Sequence, residues 1–237
     1  MTDAKTADIK ELYDAGVHFG YSRTRRHPTA EPFIFGTKDR SDIFDLEGTN
    51  KRLQVAREFA STTAKNGKQL LFVGGKNEAQ SIVKDAAIRA GSPYVAGRWI
   101  GGSLTNFKNI RKRIDRLEKL MKERDDGTLE KYTKKERLLI DREITELLAR
   151  FGGLVSMVEL PAALIIVDTR RENTAVREAN QLGISVIGLS SSDCDFSLIQ
   201  YPIPANDTSV RSIRYVVDCI ADACLEGKKA PPSVPLK

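Results

Sequence analysis

Histidine and cysteine are scarce in this chain, with two of the former and three of the latter among 237 residues. Cys194, Cys219 and Cys224 are odd in number and show no Cys-x-x-Cys spacing, which argues against a disulfide framework and a thiolate zinc site. Cys219 and Cys224 fall in a helical pattern. All three read as small buried apolar residues of a protein kept in a reducing compartment, most simply the cytoplasm. His18 and His27 have no cysteine or paired carboxylate nearby in sequence, so no triad or metal set assembles around them. His18 reads instead as a packed or capping residue. No run approaches the roughly 18 apolar residues of a membrane span, so no membrane partner is expected. The opening MTDAKTADIK is polar and mixed in charge and does not read as a secretory signal. Phe72-Val73-Gly74-Gly75-Lys76 starts like a phosphate loop but lacks the spacer and Lys-Ser/Thr ending of a P-loop, and Gly-x-Gly-x-x-Gly is absent.

What the chain does have is apolar substance and a moderate basic excess: 41% hydrophobic residues, 30% charged residues and a net charge of +6. Length and composition suit one large domain, or one domain carrying an insertion. Three short apolar runs, Leu70 to Val73, Ala163 to Val167 and Ile184 to Leu189, suit strands buried on both faces of a parallel sheet. The first two are followed by polar residues and then by helical spacing: Ala79, Ile82, Val83 and Ala86 after one, Ala175, Val176, Ala179 and Leu182 after the other. Strand, turn, helix, strand is the βαβ unit of an α/β fold. An earlier helix is predicted from Thr49, a candidate N-cap, through Ala60. The stretch from Pro32 to Asp45 suits a hairpin around Lys38-Asp39-Arg40. A last helix starts near Asp207 or Thr208, and the Lys- and Pro-rich residues 228–237 read as a disordered tail.

Residues 103–151 break the rhythm. Ile110, Ile114, Leu117 and Met121 are spaced 4, 3, 4, and Ile140, Ile144, Leu147 and Phe151 repeat that spacing. These are heptad seams. Asp125-Asp126-Gly127 is a turn signal between them, and Thr133-Lys134-Lys135-Glu136 has capping-box spacing. The segment reads as an antiparallel coiled-coil hairpin inserted between the two parts of the α/β domain, residues 1–102 and 152–227. From Lys108 to Arg150 it carries 14 Lys/Arg and 10 Asp/Glu, a net +4, and its first turns are almost purely basic.

The basic residues are the richest functional signal. Arg23, Arg25 and Arg26 form a compact cationic loop with hydroxyl side chains interleaved, a pattern that phosphates accept from. Arg98 and Trp99, set among glycines, lead into Asn106, Lys108, Arg111, Lys112 and Arg113. Trp99 has two readings, a platform for an unpaired base or an anchor tying the helical arm to the core. Gly74 and Gly75 suit either a tight strand-to-helix turn or a phosphate cradle, with Lys76 beside a helix N-terminus. Asp168, at a strand end, is a ribose or metal ligand on one view and a turn residue or helix cap on the other.

Several stretches, in order, resemble the signatures of the bacterial-type small-subunit ribosomal protein two family. They are Ala15-Gly16-Val17-His18-Phe19-Gly20, Pro32-Phe33-Ile34-Phe35-Gly36, Leu71-Phe72-Val73-Gly74, Arg98 through Asn106, Leu129 through Glu136, and Pro202-Ile203-Pro204-Ala205-Asn206-Asp207. The resemblance covers nearly the whole chain. It departs from the family at Tyr21, where another histidine is usual, and in the segments 156–160 and 190–196. It implies a flavodoxin-like α/β domain with a protruding coiled-coil hairpin. It also implies a structural, non-enzymatic part of the small ribosomal subunit, without a cofactor or small-molecule substrate. The implied partners are small-subunit ribosomal RNA and neighbouring ribosomal proteins, with ribosomal protein one a candidate among them. Arg23, Arg25, Arg26, Lys76, Arg98, Trp99, Asn106, Lys108, Arg111, Lys112 and Arg113 are then the expected RNA contacts. The alternative is an α/β protein that binds a small phosphorylated molecule or nucleotide through Gly74, Gly75 and Asp168.

Overall fold

The computed structural model describes residues 9–229. The three apolar runs become parallel strands β4 (Leu70–Val73), β6 (Ala163–Val167) and β7 (Ser185–Ser190), each almost wholly buried. Two further strands complete their sheet, β5 (Tyr94–Val95) and β8 (Tyr201–Pro204), in the order β5-β4-β6-β7-β8. Counted along the chain, that order is 2-1-3-4-5, the flavodoxin-like winding. The register runs Leu70↔Ala163 to Val73↔Ile166 and Ala163↔Ser185 to Val167↔Leu189.

Both faces of the sheet are apolar because neighbouring residues of each strand point opposite ways. Leu70 and Phe72 of β4 join one core with Ile165, Ile187 and Ile203. Helices α2 (Leu46–Lys65), α3 (Asn77–Arg89) and α7 (Val210–Lys229) supply the cover there, through Leu53, Ile82, Ile213 and Ile220. Leu71 and Val73 face the other core, with Leu164, Ile166 and Val186. That side is closed by α6 (Asn173–Gln181) and the root of the helical arm.

The arm consists of α4 (Phe107–Asp125) and α5 (Lys134–Phe151), joined through Gly127 (φ 71°) and a short 3-10 turn. It buries Ile110, Ile114, Leu117 and Leu120 with Ile144, Leu147 and Phe151. Met121 and Ile140, expected in the seams, are only partly buried. The Thr133–Glu136 capping box forms, with the Thr133 amide donating to Glu136 Oε2 at 2.9 Å.

The N-terminal part adds a short helix α1 (Ile9–Asp14) and an antiparallel sheet of β1 (Phe19–Ser22), β2 (Ile34–Lys38) and β3 (Ser41–Phe44). The β2–β3 hairpin turns at Asp39 and Arg40, both left-handed with φ of 49° and 64°, as a primed two-residue turn requires.

Two expectations need correction. The N-cap of α2 is Asp45, whose carboxylate accepts from the Glu47 amide at 3.0 Å. Thr49 lies inside the helix, buried, and donates to the Pro204 carbonyl at 2.9 Å. The final helix also continues through Lys228 and Lys229, which composition assigned to the tail. Its Gly227 passes so close to Ser61 of α2 that a Cβ would sit 2.2 Å from the Ser61 carbonyl oxygen. Lys228 Nζ donates to the carbonyls of Ala90 and Gly91 at 2.6 and 2.9 Å, at the end of α3. Residues 230–237 of the expected tail lie outside the described residues.

Candidate nucleic-acid interface

Doubly wound sheets hold small ligands where the strand order reverses, here outside the ends of β4 and β6. In this chain that crevice is filled by its own groups. A Cβ on Gly74 would lie 2.7 Å from Val83, and one on Gly75 would lie 2.6 Å from both the Gly97 carbonyl and Glu172 Oε1. The Gly75 amide, which a phosphate would need, donates to Glu172 at 3.2 Å. Burial pushes the Glu172 carboxyl up. Asp168 has φ 64° and accepts from the Arg171 amide at 3.0 Å, so it acts as the turn residue.

Lys76 also belongs to the interior. Its side chain is 11% exposed, with Nζ 3.2 Å from Asp168, 3.3 Å from Asp207 and 3.4 Å from the Tyr21 hydroxyl. Burial alone would depress the ammonium, but Asp207 and Asp168 outweigh it and the net direction is upward. Asp207 is buried beside Asp168 and lacks a well-aligned hydrogen bond to either oxygen, although the Lys76 ammonium is near. Its carboxyl is pushed up to about 7, chiefly by burial and then by the Asp168 charge.

The cationic loop divides in the same way. Arg26 makes a two-pronged pair with Asp42, Nε to Oδ2 at 2.9 Å and Nη2 to Oδ1, and also reaches Thr37. Its side chain is 17% exposed and that of Asp42 0%. Arg26 therefore spends most of its donors on β2 and β3 of the N-terminal sheet. Arg25 is different: one nitrogen donates to Asp193 at 3.0 Å, its guanidinium stacks 4.1 Å over Tyr21, and 52% of the side chain remains exposed. Arg23 is exposed and makes no ion pair among the described residues. It lines an open hollow of about 840 Å³ with Ser22, Thr24, Thr37 and Arg40.

At the root of the arm, Trp99 takes the anchoring role. It is 7% exposed and donates to Glu178 Oε1 at 3.1 Å. Glu178, on α6, also accepts the amides of Gly102, Leu104 and Thr105 at 2.8, 3.0 and 3.1 Å and the Thr105 hydroxyl at 3.2 Å. Burial would raise this carboxyl, but the donors from Leu104, Gly102, Trp99 and Thr105 lower it overall. One acceptor thus pins the loop that launches α4. Arg111 is likewise engaged, with Asp115, Glu118 and the carbonyls of Val155 and Met157. Asn106 is exposed and accepts from Asn109. Arg98, Lys108, Lys112 and Arg113 are exposed, without an ion pair among the described residues.

Residues 12–227 match the family model described as Ribosomal protein S2. The chain belongs to the ribosomal protein S2 family. It is similar to the protein named small ribosomal subunit protein uS2 of Syntrophobacter fumaroxidans, at 43% identity over 93% of this chain and 81% of that one. The protein of the same name from Nitratidesulfovibrio vulgaris is 44% identical over 92% and 86%, and that of Dictyoglomus thermophilum 46% over 93% and 89%.

For this S2-family chain, Glu178 and two exposed cations, Arg170 and Arg177, join the site only through the fold. Arg170 shares Asp193 with Arg25, at 2.6 Å, so two guanidinium groups converge on one carboxylate. With Arg177 they line a cavity of about 380 Å³ beside the start of α6. For Arg170 the available signal is Asp168-Thr169-Arg170-Arg171 directly after an apolar strand, where a sheet opens toward ligands.

Proposed function

We propose that this protein is a structural constituent of the small ribosomal subunit that binds small-subunit ribosomal RNA through exposed cations on the N-terminal loop and the root of the arm, and that it is not an enzyme. The observation that carries the reading is the family match across residues 12–227. The supporting cations are Arg23, Arg25, Arg98, Lys108, Lys112 and Arg113, which keep guanidinium or ammonium donors facing outward. Arg26, Lys76, Trp99 and Arg111 support this surface from within, by the pairs described above. Phosphate contacts of this kind fix a protein on RNA without reading base sequence, and they weaken as salt competes.

The arm extends the reading to protein neighbours, ribosomal protein one among the candidates. Leu138 and Leu139 of α5 are about half exposed, at 51% and 53%, and Tyr132 and Leu148 of the arm are exposed as well. Such a spot suits a protein contact. Pull-downs with the arm deleted would lose a protein partner while keeping RNA if this part holds.

The decisive test is sedimentation of the tagged protein from lysate through sucrose gradients at moderate and high salt. Migration with the small subunit, stripped progressively by salt, is the expected outcome. A protein that stays at the top of both gradients would remove the ribosomal role.

A further inference from the structure

A third hollow, of about 420 Å³, lies where the end of α5 meets the exit of β5 and the flank of α3. Three of its lining residues are cations, Lys84 from α3, Arg98 after β5 and Arg150 from the last turn of α5, and no carboxylate lines it. All three are exposed and none has an ion pair among the described residues. They are far apart in sequence and come together only through the fold. The floor is backbone: Gly97, Gly152 and Gly153 line the hollow. Gly153 packs so tightly on β5 that a Cβ would lie 2.2 Å from the Tyr94 carbonyl oxygen. The carboxylates that other arginines meet, Asp42 for Arg26, Asp193 for Arg25 and Arg170, and Asp218 for Arg89, have no counterpart among the residues that line this hollow. Three cations line one hollow with no carboxylate among its lining residues, which favours an external anion there.

We infer that this hollow is a binding site for a phosphodiester group of RNA, held by Lys84, Arg98 and Arg150. The inference rests on the proposed RNA-binding role and adds to it a site that draws on three elements. A space of this volume accepts about one nucleotide, near the small end of ligand-sized cavities. At Gly97, where an added Cβ would meet nothing within 4 Å, no side chain keeps a phosphate from the backbone, and the guanidinium groups present forked donors that match phosphate oxygens. Tyr94 also lines the space, which gives the attached nucleoside an aromatic neighbour.

The test uses the full chain rebinding to salt-washed small subunits that lack it. Lys84→Ala with Arg150→Ala should weaken rebinding roughly 10-fold or more and make the log-affinity against log-salt slope shallower by about one to two. Lys65→Ala with Lys68→Ala removes the same charge elsewhere and should leave both unchanged. Equal behaviour of the two double variants would overturn the site. A photo-crosslinker placed at residue 84 tests it without removing the arginines. Crosslinks to RNA support it, and crosslinks to a ribosomal protein alone would reassign the hollow to an acidic protein partner and overturn it. If the unaltered protein fails to rebind, the ribosomal reading falls and this site falls with it.

Discussion

Arg26 and Arg23 sit three residues apart in one basic loop, and the fold gives them opposite duties. Asp42 is fully buried and has Arg26 as its charge partner, so removing that guanidinium leaves a carboxylate in the interior without compensation. Breaking a buried pair costs about 3–5 kcal/mol, and the partial exposure of Arg26 points to the lower end, about 3 kcal/mol. Arg26→Ala should therefore lower stability in urea unfolding by about that amount, whereas Arg23→Ala, on the surface, should change it by less than about 0.5 kcal/mol. Comparable effects from the two would contradict the assignment. Asp207 supplies a pH signature of its own. Burial and the Asp168 charge push its folded carboxyl up to about 7 from the ordinary value of 3.8. Between those values the folded chain holds a proton that the unfolded chain has released. This contribution therefore falls as pH rises from about 4 to 7 and is fully present only below that window. Asp207→Asn should flatten the decline, so that wild type loses more stability than the variant between pH 5 and pH 7.5. Parallel curves for the two proteins would mean that the carboxylate is already charged at pH 5.

At the scale of elements, α6 and the arm depend on a single acceptor. Glu178 receives the Trp99 indole, three amides and one hydroxyl, so Glu178→Gln replaces one oxygen with an NH2 group that faces donors. The unmet donors should cost about 1–3 kcal/mol and speed amide exchange at Gly102, Leu104 and Thr105. Unaltered protection there would show that the loop is held by its apolar packing alone. How far such elements were legible depended on whether their cause is local. β4, β6 and β7 stand out because both faces of a parallel strand are buried, and the arm stands out because its seams repeat. β5 has two residues, and β8 carries Pro202 and Pro204, tolerated because it lies at the sheet edge, so neither leaves a strand pattern. The candidate site was legible as a population of cations but not as a division of labour. Asp42 lies 16 residues from Arg26, Asp193 lies 168 from Arg25, and Glu178 lies 79 from Trp99. Charge spacing shows which residues could meet a phosphate, and only the fold shows which have already met a carboxylate.

For the whole molecule, the net charge of +6 understates what a polyanion meets. Many acids are consumed internally, by Arg26, Lys76 and Arg111 among others, while Arg23, Arg98, Lys108, Lys112 and Arg113 stay exposed and Arg25 is half exposed. If each of these six, together with Lys84 and Arg150 of the hollow beside α3, replaces one counterion on RNA, the slope of log affinity against log salt should be about −6 to −7. Substituting Lys108, Lys112 and Arg113 together with alanine should bring it to about −4 while leaving the urea midpoint almost unchanged, because these residues touch no buried acid. Titration of rebinding to stripped subunits across a salt series measures the slope directly. A value near zero for the unaltered protein would mean that apolar contacts with protein neighbours hold it in the particle. A steep slope that survives the triple substitution would move the RNA contacts off the root of the arm and onto the N-terminal loop and the cavity beside α6, where Arg25, Arg170 and Arg177 converge.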